Sequence, residues 1–252
     1  MVSTELVFVV IALFGVAALY SSVGLGGASG YLAVLSLTSY AATEAVWLKQ
    51  YAWSLNLIVA GIAFWHYHNS GYHVRGLSIP FISASVPMAA LGGFMLVEGG
   101  AYDVLLAIAL VVAAWRLVSS DADVSDAVRP SLPKAAAVGG VIGLASGVIG
   151  IGGGIFLLPV LMIGGWATSK EAAATTSLFV WLNSLSGLVG AWLAGRLDPD
   201  PVLLMPFSAA VLFGGVIGSR YGSRVSSQRG VRGILVAVLL LGASKRVLGI
   251  IG

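Results

Sequence analysis

Cysteine is absent from the sequence, which excludes disulfide bridges, thiol chemistry and cysteine-ligated metal sites. The three histidines, His66, His68 and His73, are grouped around Tyr67 and Tyr72 at the end of an apolar segment. Aromatic residues collect in this position in the interfacial belt of membrane proteins. We therefore interpret the histidines as interfacial and predict no metal site and no cofactor.

Charged residues are also scarce. Only 9% of the residues are charged and 58% are hydrophobic, whereas roughly 25% of the residues of a soluble domain are charged. So few charges could not cover the surface of a soluble fold. Several apolar runs reach the ~20 residues that a helix needs to cross a bilayer, without the alternation of barrel strands. The composition predicts an all-α fold, a polytopic transmembrane helical bundle in the plasma membrane.

The net charge of +3 is small and dispersed, which argues against a nucleic-acid partner. Lys and Arg residues in such a chain set the membrane topology instead. The first five residues lack the basic segment of a cleaved signal peptide. The first apolar run is therefore expected to stay in the mature protein.

Eight apolar segments are predicted, and the first and fifth are unusual. Each of these two is too long for one upright helix and is interrupted by glycines, at 24–30 and at 147–154. The polar stretch 119–133 is the predicted linker between two halves. The segments cover about 6–37, 45–65, 77–97, 102–118, 134–165, 171–195, 201–218 and 233 to the C-terminus.

The two halves resemble each other, and this internal repeat is the strongest signal of organisation. An ordered series of matches is not expected by chance from glycine-rich apolar sequence. We predict an N-terminal repeat over 1–118, the linker over 119–133 and a C-terminal repeat over 134–252, with a transport site at their interface. In the alignment, Gly24-Leu25-Gly26-Gly27 matches Gly150-Ile151-Gly152-Gly153, Trp53 and Asn56 fall near Trp181 and Asn183, and Pro80-Phe81 meets Pro206-Phe207.

Two topologies are open for the broken segments. If they cross the membrane, the Lys and Arg residues other than Lys49 divide seven against five between the two sides. If each segment enters and returns as a re-entrant hairpin, the halves are inverted and the division is nine against three. The second division fits the positive-inside rule better, and it predicts inverted halves with both termini outside.

The glycine clusters are candidate anion sites. Backbone that leaves a helix at membrane depth must be buried in protein or line a wet cavity, and the next half-helix begins with unpaired N–H groups and a positive dipole end. Close helix packing through small residues is the alternative, but the duplication of the cluster and Pro159 beyond its second copy favour an anion site. The candidates are Gly24, Gly26, Gly27, Ala28, Gly150, Gly152, Gly153 and Gly154.

Polar residues in the second segment add to this hypothesis. Lys49 is the only basic residue inside an apolar span, and such a charge indicates a functional site by default. Snorkelling to the interface or pairing with Glu44 are the alternatives. Gln50 follows it, and Asn56 lies further along the segment with donor and acceptor groups for substrate oxygens.

The sixth segment carries the matching candidates Thr176, Ser177 and Asn183. The hydroxyls could donate to an anion or bond to helix carbonyls. Asn183, like Asn56, could instead make an interhelical hydrogen bond. No carboxylate lies clearly at mid-membrane and no nucleophile is paired with a base, so neither a proton relay nor an enzyme is indicated.

These motifs resemble the TauE/SafE family of membrane permeases. The resemblance covers essentially the whole chain and implies export or uptake of sulfur-containing anions such as sulfite, sulfoacetate or thiosulfate. The first half departs from the pattern at Ala28, in place of a third glycine, and at Ala33, where the second half has Pro159, so closer substrate contacts are expected at the second cluster. The resemblance rests on Gly150 to Gly154, Phe156-Leu157-Leu158-Pro159, Ala174-Thr175-Thr176-Ser177, Lys49 to Asn56, Pro80 and Pro87 to Gly93.

Residues and resemblance together predict a permease that moves a sulfite- or organosulfonate-like anion by alternating access. A passive anion channel and a non-transporting membrane scaffold or assembly protein are the alternatives. The predicted partners are the small anion and the lipid bilayer. A homodimer is compatible with the sequence.

Overall fold

The computed structural model describes residues 4–118, 127–224 and 239–248, and within these ranges the chain is helical without a strand. This confirms the predicted all-α fold. Residues 119–126 of the predicted linker lie outside the described residues. The helices are α1 (Thr4–Ser21), α2 (Ala28–Ser36), α3 (Ala45–Asn69), α4 (Arg75–Phe94), α5 (Gly99–Val118), α6 (Leu132–Ile149), α7 (Gly154–Ile163), α8 (Ser169–Leu193) and α9 (Pro201–Arg224), with a 3-10 helix at Ser39–Ala42 and further helix at 239–248.

Five of the described helices, α1, α4, α6, α8 and α9, are long and apolar enough to cross a membrane. Their outer faces expose large apolar side chains such as Ile11, Val141 and Phe213. An apolar surface of this extent suits contact with lipid rather than water. The chain is therefore a multi-pass membrane protein.

Each glycine-broken segment turns back on itself. In the first, the Tyr20 hydroxyl at the end of α1 lies 2.9 Å from the Ser29 hydroxyl at the start of α2. At the other end of this hairpin, the Glu5 carboxylate accepts a hydrogen bond from the Ser39 backbone N–H over 2.6 Å. The chain thus enters and leaves the first segment at the same end of the bundle.

The second broken segment behaves in the same way. The Val128 N–H, before α6, donates to the Gly165 carbonyl after α7 over 2.9 Å. Arg129 forms an ion pair with Glu171 in the first turn of α8, with a distance of 2.6 Å between Nη2 and Oε1. The starts of α6 and α8 and the end of α7 are therefore neighbours, although the two-repeat organisation stays a prediction.

Contacts of α3 with the second half define the two ends of the bundle. At the start of α3, Gln50 bonds to the backbone of Asp198 in the α8–α9 loop, and we call this the Asp198 end. At the finish of α3, the His66 Nδ1 lies 2.8 Å from the Ser219 hydroxyl late in α9. We call this the Gly71 end, after the turn between α3 and α4. The orientation of these ends in the membrane remains a prediction.

Two helix pairs pack through stripes of glycine at intervals of four residues. Such spacing places the glycines on one helix face and lets two backbones approach closely. In both pairs the partner helix contributes backbone atoms at the same interval, so the two helices run parallel. On α6, Gly139, Gly143 and Gly147 meet Phe81, Ser85 and Ala89 of α4; on α9, Gly214 and Gly218 meet Phe14 and Ala18 of α1, and Gly222 meets Ser22 directly after α1.

The turn at the Gly71 end gives a pH prediction. The Nδ1 atoms of His68 and His73 lie 3.3 Å apart, and burial, His68 and Arg75 together lower the pKa of His73. The folded protein therefore binds fewer protons at His73 than the unfolded chain does. The stability that this difference gives is lost as the pH falls from about 6.5, the ordinary pKa of histidine, through the lower pKa of the folded state. We expect the melting temperature to fall on acidification, and to fall less in His73→Asn. An equal fall in both proteins, measured by thermal unfolding, would contradict this assignment.

Candidate anion site

The two glycine clusters border one small cleft inside the bundle. The first turns of α2 and α7 both reach it, so two helix N-termini with their positive dipole ends meet at one place. The residues that line the cleft in the described part of the chain include no carboxylate. They are Tyr20, Leu25, Gly26, Gly27, Ala28, Ser29, Ile151, Gly154, Ile155 and Val180.

Glycine is required where each of these helices begins. Gly27 precedes α2 with a φ of 106°, and Gly153 precedes α7 with a φ of 81°. Side-chain-bearing residues rarely adopt this left-handed conformation, whereas glycine does so readily. Neither helix has a side-chain cap from the residue before it.

Asn56 of α3 lies between the two clusters. Its Oδ1 accepts a hydrogen bond from the Ala28 N–H over 3.1 Å, and its Nδ2 donates to the Ser184 hydroxyl of α8 over 3.1 Å. A Cβ atom on Gly26 would collide with Oδ1, and one on Gly152 would lie 2.6 Å from Nδ2. The glycines therefore allow both clusters to approach this amide closely.

Two predicted residues of α8 are buried without hydrogen-bond partners. Thr176 and Asn183 are fully buried, and neither the Thr176 Oγ1 nor either polar atom of the Asn183 amide has a partner among the described residues. The Thr176 methyl group packs 3.1 Å from the Cβ position of Gly154, at the start of α7. Buried polar groups without partners cost free energy and call for a functional explanation.

Other predicted residues are placed differently. The Gln50 side chain makes two bonds to the Asp198 backbone, of 3.0 and 2.9 Å, and so anchors the α8–α9 loop. The Ser177 hydroxyl donates to the Ala174 carbonyl of its own helix over 2.9 Å. Gly24 packs against the backbone of Ala173. In the structure these three residues have packing or anchoring contacts rather than cleft contacts.

Lys49 and Gly150 form a separate location. A Cβ atom on Gly150 would lie 2.6 Å from the Lys49 Cγ, and neither residue lines the cleft. The structure thus places the predicted residues Gly26, Gly27, Ala28, Asn56, Gly152, Gly153, Gly154 and Thr176 at or beside the cleft, with Lys49 outside it.

The sequence analysis missed Ser184 and Tyr31. The Tyr31 hydroxyl donates to the Gly26 carbonyl over 2.7 Å and its ring lies against Gly27, so it holds the first loop in place. A signal for Ser184 was present in the repeat: aligning Trp53 with Trp181 places Asn56 opposite Ser184 rather than Asn183. No group of three His, Asp or Glu residues in the described ranges could hold a metal ion.

Comparison with known proteins indicates a membrane transporter. The family described as "Sulfite exporter TauE/SafE" matches residues 8–246. The chain is 34% identical over 247 residues to the "Probable membrane transporter protein y4hK" of Sinorhizobium fredii (strain NBRC 101917 / NGR234), which covers 96% of this chain and 98% of that protein.

A second relative is the "Probable membrane transporter protein YunE" of Bacillus subtilis (strain 168), 27% identical over 106 residues, or 42% of this chain and 38% of that protein. No solved structure matches the chain significantly. Because the family match spans nearly the whole length, the chain belongs to the Sulfite exporter TauE/SafE family of membrane transporters.

Proposed function

We propose that this transporter moves a small sulfur-containing anion, of the sulfite or organosulfonate class, across the plasma membrane by alternating access. The observation that carries the proposal is the cleft on which the N-termini of α2 and α7 converge. Helix N-termini bind oxyanions through their free N–H groups and their dipoles. Two of them, with no carboxylate lining the cleft in the described residues, favour an anion over a cation.

The donors around the cleft suit an oxyanion with several oxygens. The cleft is lined by Gly154 and Ile155 at the start of α7 and by Gly27 and Ser29 at the start of α2. Thr176, whose methyl group lies beside Gly154, carries a hydroxyl without a partner in the described residues, which is a further donor. Sulfite and sulfonate groups each present three oxygens on one sulfur atom, which allows them to accept hydrogen bonds from both sides. The name of the family supports the same class of substrate.

Burial of the cleft favours alternating access over an open channel. Leu25, Ala28, Ile151 and Ile155 are each at most 4% exposed. An anion reaches such an enclosed site only when the surrounding helices move, as in transporters with binding sites at mid-membrane.

Purified protein in proteoliposomes tests the proposal. We expect radiolabelled sulfite or sulfoacetate to enter with saturable kinetics and to show counterflow, which a passive channel does not. A thermal-stability screen against sulfite, thiosulfate, taurine, sulfoacetate, sulfate and simple carboxylates identifies the preferred anion, because a ligand that binds only the folded protein raises its melting temperature. Neither flux nor stabilisation with any sulfur oxyanion would refute the proposal.

Thr176→Val gives a sharper prediction. Valine keeps the shape of threonine but lacks the hydroxyl, and a hydrogen bond to a charged group contributes about 1.5–3 kcal/mol. We therefore expect about tenfold or greater weakening of sulfite binding, while the stability of the anion-free protein stays equal or rises because a buried unpartnered hydroxyl is removed.

The matched control is Ser177→Ala, next along α8. The Ser177 hydroxyl already bonds to the Ala174 carbonyl, so its removal should leave anion affinity unchanged. Equal loss of affinity in both variants would show that α8 responds to any substitution here, and would remove Thr176 from the site.

A further inference from the structure

Lys49 is a buried cation that the cleft does not use. Its side chain is 1% exposed, and its Nζ has no hydrogen-bond partner among the described residues. The ammonium lies 5.7 Å from the centre of the Tyr102 ring. A buried charge costs free energy unless something compensates it.

Carboxylates do not provide that compensation. The ion pairs among the described residues are Arg129–Glu171 and Arg246–Asp103, and neither includes Lys49. The acidic residue that interacts with Lys49 electrostatically is Glu98, which is exposed and forms no ion pair with it. The C-terminal end of α6 at Gly150 supplies a partial negative charge, but this alone is weaker than a counter-ion.

A second positively charged side chain adds to the uncompensated positive charge around Lys49. Arg196 lies in the loop after α8, two residues before Asp198, whose backbone bonds to Gln50, the residue next to Lys49. The Arg196 Nη1 is also buried without a hydrogen-bond partner in the described residues. Two like charges near each other disfavour the folded state unless an anion joins them. The α6 helix end explains the position of Lys49, but it leaves Arg196 unexplained.

Lys49 and Arg196 lie on the side of the cleft that faces the Asp198 end of the bundle. Lys49 and Asn56 are seven residues apart on α3, which places them on one helix face about 10 Å apart along the axis. Trp53 lies between them on the same face and is fully buried. The Arg196 loop belongs to the Asp198 end, since Gln50 bonds to Asp198 two residues later.

We propose that Lys49 and Arg196 form a second anion station, at which the transported anion is held between the cleft and the Asp198 end of the bundle. This inference rests on the proposed function. The station attracts the anion electrostatically, and the helix N-termini of the cleft then receive it after a movement of about 10 Å past Trp53. Arg196 is a binding residue that sequence analysis did not identify.

Transport of radiolabelled sulfite by wild type, Lys49→Gln, Arg196→Gln and the double variant tests the station. Each single variant should raise the KM for sulfite about tenfold, the scale of one charge-assisted hydrogen bond, and the double variant should add less than the product because both residues hold one ion. Raised ionic strength should slow the wild type more than the variants. The matched control is Arg75→Gln, which removes one positive charge from an exposed position at the Gly71 end and should leave the KM unchanged.

The melting temperature distinguishes a Lys49 that binds the anion from a Lys49 that only stabilises the fold. In anion-free buffer Lys49→Gln should raise the melting temperature, because it removes an uncompensated buried charge; a lysine held only by the α6 helix end would give a lower one. Saturable sulfite flux with an unchanged KM in both single variants would overturn the station alone. Absence of flux and of stabilisation by every sulfur oxyanion in the wild type would overturn the proposed function and the station with it.

Discussion

Gly143→Ala should destabilise the protein severely, with a melting temperature about 10 °C lower than that of the wild type. A Cβ atom at this position would collide with the Ser85 carbonyl oxygen and lie 2.6 Å from the Ser85 Cα. Backbone atoms cannot rotate away as a side chain can, so α4 and α6 would have to separate. Overpacking of this kind costs about 3 kcal/mol, which corresponds to about 10 °C for a chain of this size.

Gly140→Ala on the same helix is the matched control. A Cβ atom there would lie 3.7 Å from the Ala84 Cβ and 3.8 Å from the Met88 Cγ, which is ordinary contact. Alanine also favours a helix over glycine by about 0.8–1 kcal/mol. We expect Gly140→Ala to match or exceed the wild type in thermal unfolding and size-exclusion profiles. Similar melting temperatures for the two variants would show that α4 and α6 are further apart than in the structure.

The sequence alone predicts one side of this helix contact, the glycine face of α6, but not the helix that packs on it. Gly139, Gly143 and Gly147 are visibly spaced by four residues, so a small-residue face on α6 can be predicted. The partner α4 cannot, because a periodic pattern identifies a helix face without naming the helix that packs on it. The same limit applies to α9, whose glycines meet α1 at the opposite end of the chain. Hydropathy likewise predicted the apolar segments and their breaks, but not which helices would contact each other.

Lys49 and Gln50 show a second limit. They are adjacent in sequence and were grouped as site residues. Successive residues on a helix point about 100° apart, and the two side chains have different surroundings: Gln50 anchors the Asp198 loop, whereas Lys49 stays without a hydrogen-bond partner among the described residues. The surroundings of each side chain depend on how α3 packs against the second half of the chain. That packing cannot be predicted from the local sequence pattern.

The paired asparagines were predicted as equivalent, yet the structure uses them differently. Asn56 bonds to the first N–H of α2 and to Ser184, while the Asn183 amide lacks a partner in the described residues. The α2 N-terminus is thus partly satisfied by protein, and α7 keeps its free donors beside Thr176. This difference supports the expectation that closer substrate contacts lie at the second cluster, which remains a prediction.

Asn56→Asp should reduce anion transport by about 100-fold or more while leaving the fold intact. One carboxylate oxygen can still accept the Ala28 N–H, and the Ser184 hydroxyl can turn to donate to the other. A negative charge at the start of α2 is favourable to the helix by about 0.3–1 kcal/mol, which offsets part of the cost of burying the carboxylate. The same charge repels an anion in the cleft by up to about 4 kcal/mol at a separation of 4 Å.

This combination of stability and lost transport distinguishes an anion site from a packing contact. If Asn56 only joined α3 to α2 and α8, aspartate would keep those bonds and the transporter would work normally. Asn69→Asp, at the exposed end of the same helix, makes the same chemical change away from the cleft and should leave sulfite flux near the wild-type level. Unimpaired flux in Asn56→Asp would show that the transported anion binds elsewhere. Loss of flux in both variants would show that transport is sensitive to any such change in α3, and not to a charge at the cleft. Flux lost in Asn56→Asp alone, in protein with a wild-type size-exclusion profile, is the result expected if the two helix N-termini bind the anion.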